Sequence, residues 1–197
     1  MNISSAYVVL AGAAASVAGV ILTGASAAGA SAAAPAGTSP TATGTLVATD
    51  AHGDMAHGAD IWKVTVGHRK QVTVDIRHAD LVRSYKSGSS GSVFLDTDPA
   101  RTGPEYVFTG GLFEGADYQL ARVKGWKTVG PINLRCSYIM KLGYAGDVTH
   151  IAIGRGCLGD PAKVRVAVRT GGEQPDGTVV RDWLHRPRSF TRWLARG

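Results

Sequence analysis

The sequence is poor in cysteine, with only Cys136 and Cys157 in 197 residues. So few cysteines exclude a fold held by a dense disulfide framework, and a domain of ordinary size buries a core without one. Two cysteines pair most simply with each other wherever the compartment is oxidising. We therefore predict a Cys136–Cys157 disulfide, which would close a loop of about 22 residues and stabilise the fold by roughly 3 kcal/mol.

Charge is also scarce, at 18% of residues against about 25% in typical domains. Residues 6–22 are an uncharged apolar run, and Ala25-Ser26-Ala27 and Ala30-Ser31-Ala32 after it match the small-x-small pattern of signal-peptidase sites. We interpret residues 1–34 as a signal peptide and expect a secreted protein with no transmembrane span in the mature chain. The alternative is an uncleaved anchor, since about 17 residues is the lower limit for a span. A positive cluster normally flanks such an anchor, and this run has none on either side.

Helical periodicity is absent before residue 180, whereas short runs of alternating apolar residues recur along the chain. In residues 61–66 the pattern places Trp62, Val64 and Val66 on one face, and the longest alternation, residues 132–142, places Cys136 toward the core. Turn residues separate the runs. These features predict an antiparallel β-sandwich of about seven to nine strands, immunoglobulin-like or jelly-roll-like. We assign residues 35–57 to a flexible leader, 58–172 to the sandwich, and 173–197 to a linker and a basic aromatic tail.

Catalytic motifs are missing as well. Gly88-Ser89-Ser90-Gly91 departs from G-x-S-x-G because Ser92 occupies the last position. Cys157 with His150 upstream is the alternative of a catalytic thiol, but a disulfide to Cys136 would consume that thiol. We therefore predict that the protein is not an enzyme.

Aspartates cluster at two points of the chain. Asp50, Asp54 and Asp60 precede one predicted strand, and Asp96 and Asp98 end another. Carboxylates on loops at one end of a sandwich can bind calcium, although this spacing is not that of an EF-hand loop. The alternative is that they form turns and bond their own backbone. His52 and His57 beside them raise the further alternative of zinc or copper.

The tail, residues 181–197, concentrates the positive charge of the chain. Its five arginines and one aspartate give a net charge of +4, out of +6 for the whole sequence. The candidate residues for an anionic partner are Arg181, Arg186, Arg188, Arg192, Arg196, Trp183 and Trp193, and such a partner could be wall teichoic acid, a phospholipid surface or nucleic acid. The alternative is that Trp183, Phe190 and Trp193 dock on the sandwich.

Four segments carry a resemblance: ADIWKVTVGHRKQVTVDIR from residue 59, VFLDTDPARTGPEY from residue 93, CLGDPAKVRVAV from residue 157 and DWLHRPRSF from residue 182. The chain resembles a group of secreted β-sandwich proteins of actinobacteria that has no assigned activity, which implies export, the cysteine pair and a β-fold. GDMAHGADIWKVTV followed by VFLDTDP is also similar to carbohydrate-binding and DOMON-like sandwiches. Carboxylates in those families sometimes hold calcium, which implies Asp54, Asp60, Asp96 and Asp98 as ligands here.

Together these observations predict a secreted or cell-envelope, non-catalytic protein that binds a polymer or partner outside the cell, with no specific nucleic acid and no cofactor other than calcium. The alternative is a carbohydrate-binding module, with or without calcium. An exposed row of tryptophan and tyrosine on one sheet face would favour that alternative. Full burial of Trp62, Tyr106, Tyr118 and Trp126 would argue against it.

Overall fold

The computed structural model describes residues 41–197, so the predicted signal peptide and residues 35–40 of the leader lie outside the described residues. Residues 41–197 form strands and two 3-10 turns, and no helix in this part of the chain is long and apolar enough to cross a membrane. The strands are β1 (Ala42–Thr43), β2 (Thr45–Thr49), β3 (Ile61–His68), β4 (Gln71–His78), β5 (Ser90–Asp96), β6 (Tyr106–Gly111), β7 (Tyr118–Lys124), β8 (Lys127–Val129), β9 (Tyr138–Gly143), β10 (Val148–Gly154), β11 (Lys163–Glu173), β12 (Val179–Trp183) and β13 (Leu194–Ala195); the turns are Tyr85–Ser87 and Arg155–Leu158.

The strands form two sheets that enclose one main core. The eight-stranded sheet has the order β1-β13-β11-β5-β6-β7-β8, and β12 also pairs with β11. The five-stranded sheet has the order β2-β3-β4-β10-β9. All pairings are antiparallel except that of β1 with β13. The prediction of an all-β sandwich is therefore confirmed, with more strands than the seven to nine expected.

The core follows the alternation of the sequence. Side chains of successive strand residues point to opposite faces, so every second residue enters the space between the sheets. In β4 and β11 these residues are Val72, Val74, Ile76, Val164, Val166 and Val168, all of them buried. Burying each such side chain contributes about 1.5–3 kcal/mol.

The predicted flexible leader and the predicted linker and tail both contain strands, which corrects the domain boundaries. Within the predicted leader, β2 pairs with β3 and buries Leu46, because an alternating segment beside an open sheet edge can complete the sheet. The predicted linker after residue 172 is also wrong at its start, since β11 continues to Glu173 and forms a hairpin with β12.

The predicted disulfide is present, with Cα atoms of Cys136 and Cys157 5.6 Å apart. It joins the segment before β9 to the 3-10 turn after β10, two strands that pair with each other. The predicted core position of Cys136 is wrong, because β9 begins only at Tyr138 and Cys136 is exposed. The disulfide therefore closes the open end of the β9–β10 hairpin, with Cys136 exposed and Cys157 packed against the main core.

Candidate functional site

The outer side of the eight-stranded sheet carries a group of cations. Because β11 alternates, the valines that enter the core leave Lys163, Arg165 and Arg169 on the opposite face. Trp183 of β12 pairs with Arg169, so Arg181, two residues earlier, lies on the same face. Arg188 joins them from the loop after β12, with its guanidinium carbon 5.9 Å from the centre of the Trp126 ring. We call these five residues the arginine face.

Beneath these cations lies a second, smaller apolar cluster. Five buried side chains of the sheet, Phe94, Val107, Ala121, Val123 and Ala167, are covered by Trp126, Trp183 and Phe190. The ring centres of Phe94 and Trp183 are 5.8 Å apart, and those of Trp126 and Phe190 are 5.1 Å apart. The alternative that the tail aromatics dock on the sandwich is therefore correct for Trp183 and Phe190.

The docked rings support the arginines of the face. The guanidinium carbon of Arg165 lies 4.6 Å from the ring centres of both Phe190 and Trp193. That of Arg169 lies 5.6 Å from the centre of Trp183. An arginine stacked on a ring keeps its position while its N–H donors stay available at the edge of the plane.

Arg165 is the one member of the face with an acidic partner in the described chain. Its Nε and Nη2 donate to Oδ2 of Asp96 at 2.8 and 2.6 Å, and Asp96 is fully buried. Burial raises the pKa of Asp96, and Arg165 opposes that shift by stabilising the charged form. The charge of Arg165 is thus used inside the protein, and those of the other four cations are not.

All five tail arginines are exposed, although the tail itself is docked. Backbone bonds hold it, since Leu184 N–H donates to the Val168 carbonyl and Thr191 N–H to the Val166 carbonyl. The predicted set is not gathered at one place, however. Arg196 lines a groove of about 1010 Å³ with Arg69, on the five-stranded sheet.

The four aspartates implied as calcium ligands do not converge. The carboxylate of Asp60 accepts from Gly53 N, Met55 N and Trp62 Nε1 at 2.8, 3.1 and 3.0 Å. Asp96 is held by Arg165, and Asp98 accepts from Ala100 N at 3.0 Å. These contacts are those of the alternative, in which aspartates bond neighbouring backbone and ordered side chains.

Strand register shows how far apart the two groups of aspartates lie. Asp182, which accepts from Ile61 N–H next to Asp60, pairs with Thr170, whereas Asp96 pairs with Arg165. Five residues of strand separate these positions by about 17 Å. The set of Asp54, Asp60, Asp96 and Asp98 is therefore wrong as a single site. Calcium binding elsewhere on the protein stays a prediction.

The structure instead places Asp54 with Asp50 and Asp182, with carboxylate oxygens within 4.8 Å of one another. Both oxygens of Asp50 accept from His185 N–H at 3.1 Å. The two histidines predicted beside the aspartates have other contacts: His52 stacks on Trp62, and both ring nitrogens of His57 bond to backbone atoms. The group thus ties the loop before β3 to the tail.

The raised pKa of Asp182 yields a stability prediction. Burial, reinforced by the charges of Asp54 and Asp50, raises the pKa of this carboxyl from 3.8 to about 6. The folded state therefore holds this proton more tightly than the unfolded state, so the contribution of Asp182 to stability falls as pH rises from 3.8 to about 6. We expect Asp182→Asn, whose Oδ1 can still accept from Ile61 N–H, to gain about 2 kcal/mol relative to the wild type between pH 4 and pH 7.5.

Urea unfolding at a series of pH values measures this difference. Asp117→Asn, which neutralises an exposed carboxylate, is the matched control and should follow the wild-type profile. A constant difference between Asp182→Asn and the wild type across this pH range would show that Asp182 is ionised without penalty in the fold.

The features considered for catalysis are used structurally. Cys157 is bonded to Cys136, and the described chain has no free cysteine, which excludes the alternative of a catalytic thiol. The Nδ1 of His150 lies 2.6 Å from Oδ1 of Asp75, its neighbour on the adjacent strand. Ser89 is buried and Ser90 begins β5, so Gly88–Gly91 leads into a strand and forms no strand-to-helix elbow.

The aromatic side chains do not form an exposed row. Tyr85 is the one exposed aromatic residue in the described chain. Tyr106 is buried, whereas Trp62, Tyr118 and Trp126 are half-buried. The observation that would favour a carbohydrate-binding module is therefore missing from residues 41–197.

Sequence reasoning assigned the arginine face only in part. It named the tail arginines but did not connect them with Lys163, Arg165 and Arg169 of β11. The signal was available in KVRVAVR, where each cation alternates with a core valine.

Neither the protein-family models nor the curated proteins contain a match to the chain.

Proposed function

We propose that the protein is a non-catalytic, exported protein that binds an anionic polymer at the outer surface through the arginine face. The disulfide supports export, because such bonds persist in oxidising compartments. The observation that carries the proposal is the division of the tail: its aromatic rings pack on the sheet, and its arginines face solvent.

Most of the charge on this face is uncompensated within the described residues. The ion pairs of the described residues are Arg83–Glu114, His150–Asp75, Arg155–Asp160 and Arg165–Asp96, so four of the five cations of the face have no acidic partner. Unpaired cations on one surface raise the local potential and attract polyanions. A chain of repeated negative charges can contact several of them at once, which favours a polymer over a single small ligand.

Retention on an immobilised anionic polymer tests the proposal. The variant Lys163→Gln/Arg181→Gln/Arg188→Gln removes three unpaired cations from the face. The matched control is Lys63→Gln/Arg77→Gln/Lys141→Gln, which removes three exposed cations from the outer side of the five-stranded sheet. At low ionic strength we expect the first variant to bind at least about tenfold more weakly and the control to bind within about threefold of the wild type.

Five of the six substituted cations are exposed, Lys163 is half-buried, and none of the six forms an ion pair within the described residues. Surface substitutions of this kind usually change stability by no more than about 0.5 kcal/mol each, so both variants should keep a melting temperature close to that of the wild type. Polyglutamate, poly(glycerol phosphate) and dextran sulfate on the resin, with uncoated dextran as the blank, separate polyanion binding from general adsorption. An equal loss for both variants would mean that net charge, and not this face, governs retention. A wild type that is not retained on any of the three polyanions would refute the function.

A further inference from the structure

Two arginines of the face line one pocket, and neither has an acidic partner among the described residues. We propose that Arg169 and Arg181 bind a phosphoryl or sulfuryl group, one repeating unit of the polymer. The inference rests on the proposed function and names the chemical group that the face recognises. We call this place the Arg169–Arg181 site.

Strand register brings the two side chains together. Arg169 pairs with Trp183 and Arg181 pairs with Gly171, so the two arginines are diagonal neighbours on one face of the β11–β12 hairpin. Gly171 leaves the position between them free of a side chain. A Cβ atom at position 171 would lie 3.5 Å from Cγ of Arg181 and 2.9 Å from the Val180 carbonyl oxygen. The absence of a side chain at Gly171 therefore leaves room for Arg181 and for the backbone of β12.

The charges at this site repel one another. Burial and the nearby charge of Arg181 lower the pKa of Arg169, and neither arginine has a carboxylate within 4.0 Å in the described part of the chain. The nearby positive charge of Arg181 disfavours the charged form of Arg169. An anion bound between them removes this repulsion and gains charge-assisted hydrogen bonds from both guanidinium groups.

The site has room and orienting contacts. A pocket of about 260 Å³ is lined by both arginines, with Ser90, Thr170 and Glu173 among its other residues. Arg169 is held from two sides, because it stacks on Trp183 and its Nη2 donates to Ser92 Oγ at 3.2 Å. Its other N–H donors have no acceptor in the described chain and are available to a ligand.

The shape of the donors favours a tetrahedral oxyanion. Each guanidinium offers a planar fork that matches two oxygens. Two forks therefore match a group with three or four oxygens, as in a phosphate or sulfate ester, whereas a planar carboxylate occupies only one of them. Glu173 also lines the pocket, and its negative charge disfavours any bound anion, so a substitution there tests the site.

The test is titration of the full-length protein with three probes: inorganic phosphate, inorganic sulfate and acetate. Side-chain Nε–Hε signals of arginine in NMR spectra report on the binding. We expect the signals of Arg169 and Arg181 to shift with phosphate or sulfate at lower concentrations than with acetate. Comparison of the phosphate and sulfate titrations shows whether the site binds a phosphoryl or a sulfuryl group more tightly.

Variants locate the binding. Arg181 is exposed, so Arg181→Gln should fold and should weaken binding of the tetrahedral anion roughly tenfold. Arg181→Lys keeps the positive charge but lacks the planar guanidinium. Its affinity for the anion should therefore lie between those of the wild type and Arg181→Gln. Glu173→Gln should strengthen binding about threefold. Arg186→Gln, which removes another exposed tail arginine that lies outside this pocket, is the matched control and should bind as the wild type does.

The outcomes separate this inference from the proposed function. If the face variant loses polymer retention while Arg181→Gln binds phosphate and sulfate like the wild type, the site is refuted and the function stands. Equal weakening by Arg186→Gln and Arg181→Gln also refutes the site, since the response would then follow net charge. If the anions bind at the site but no polyanion retains the wild type, the proposed function fails on its own test.

Discussion

Removal of residues 181–197 will abolish cooperative folding of the sandwich. The tail supplies β13 and most of β12, and it places Leu184 and Leu194 in the main core. Burial of these two side chains alone contributes about 3–6 kcal/mol, against a total stability of about 5–15 kcal/mol for a typical domain. The deletion also strips the β11 edge, where Leu194 pairs with Val164, and removes the Asp182 acceptor of Ile61 N–H.

A truncated chain that does not fold has no measurable free energy of unfolding. A point substitution in the tail therefore measures the contribution of the tail to stability. Leu194→Ala should lower the free energy of unfolding by about 2–5 kcal/mol, since it leaves a cavity beside β11. The control is Arg186→Gln/Arg192→Gln, which changes the charge of the same segment at exposed positions and should leave stability within about 0.5 kcal/mol. Circular dichroism during urea unfolding gives both values. A truncated protein with the wild-type melting temperature would show that the tail is an appendage.

The sequence predicted those parts of the fold that depend on local alternation. In β4 and β11 each inward valine follows from a period of two, because neighbouring polar residues leave only one face apolar. The alternation failed at Trp62, where a β-bulge between Ile61 and Lys63 shifts the phase and turns Ile61 inward. A bulge is set by the pairing partner, which a single strand does not reveal.

Contacts between distant segments were beyond the reach of local patterns. β2 carries the weak pattern TLVAT, and it becomes a strand because β3 presents an open edge to it. The acidic group joins Asp50 and Asp54 to Asp182, more than a hundred residues away. The candidate site shows the same limit. Its arginines are visible in the sequence, but their position on one face depends on β12 pairing with β11.

Arg165→Gln will be the most destabilising substitution of any arginine on the face. It leaves the carboxylate of Asp96 fully buried without its cation, and breaking a buried pair in this way costs about 3–5 kcal/mol. The change also removes the guanidinium that stacks on Phe190 and Trp193. Arg83→Gln is the matched control, because its pair with Glu114 is exposed on both sides and should be worth no more than about 1 kcal/mol.

The pH dependence of this loss identifies its cause. Burial already raises the pKa of Asp96 above 3.8, and removal of Arg165 will raise it further. A folded-state pKa above the unfolded value destabilises the fold as pH rises, so the deficit of Arg165→Gln should be larger at pH 7 than at pH 4.

Adding Asp96→Asn to Arg165→Gln should recover most of the loss at pH 7, since no buried charge is then left unpaired. If the double variant is as unstable as Arg165→Gln at both pH values, the contribution of Arg165 lies in its packing on the tail rings. In that case the buried Arg165–Asp96 ion pair makes no net contribution to the free energy of unfolding.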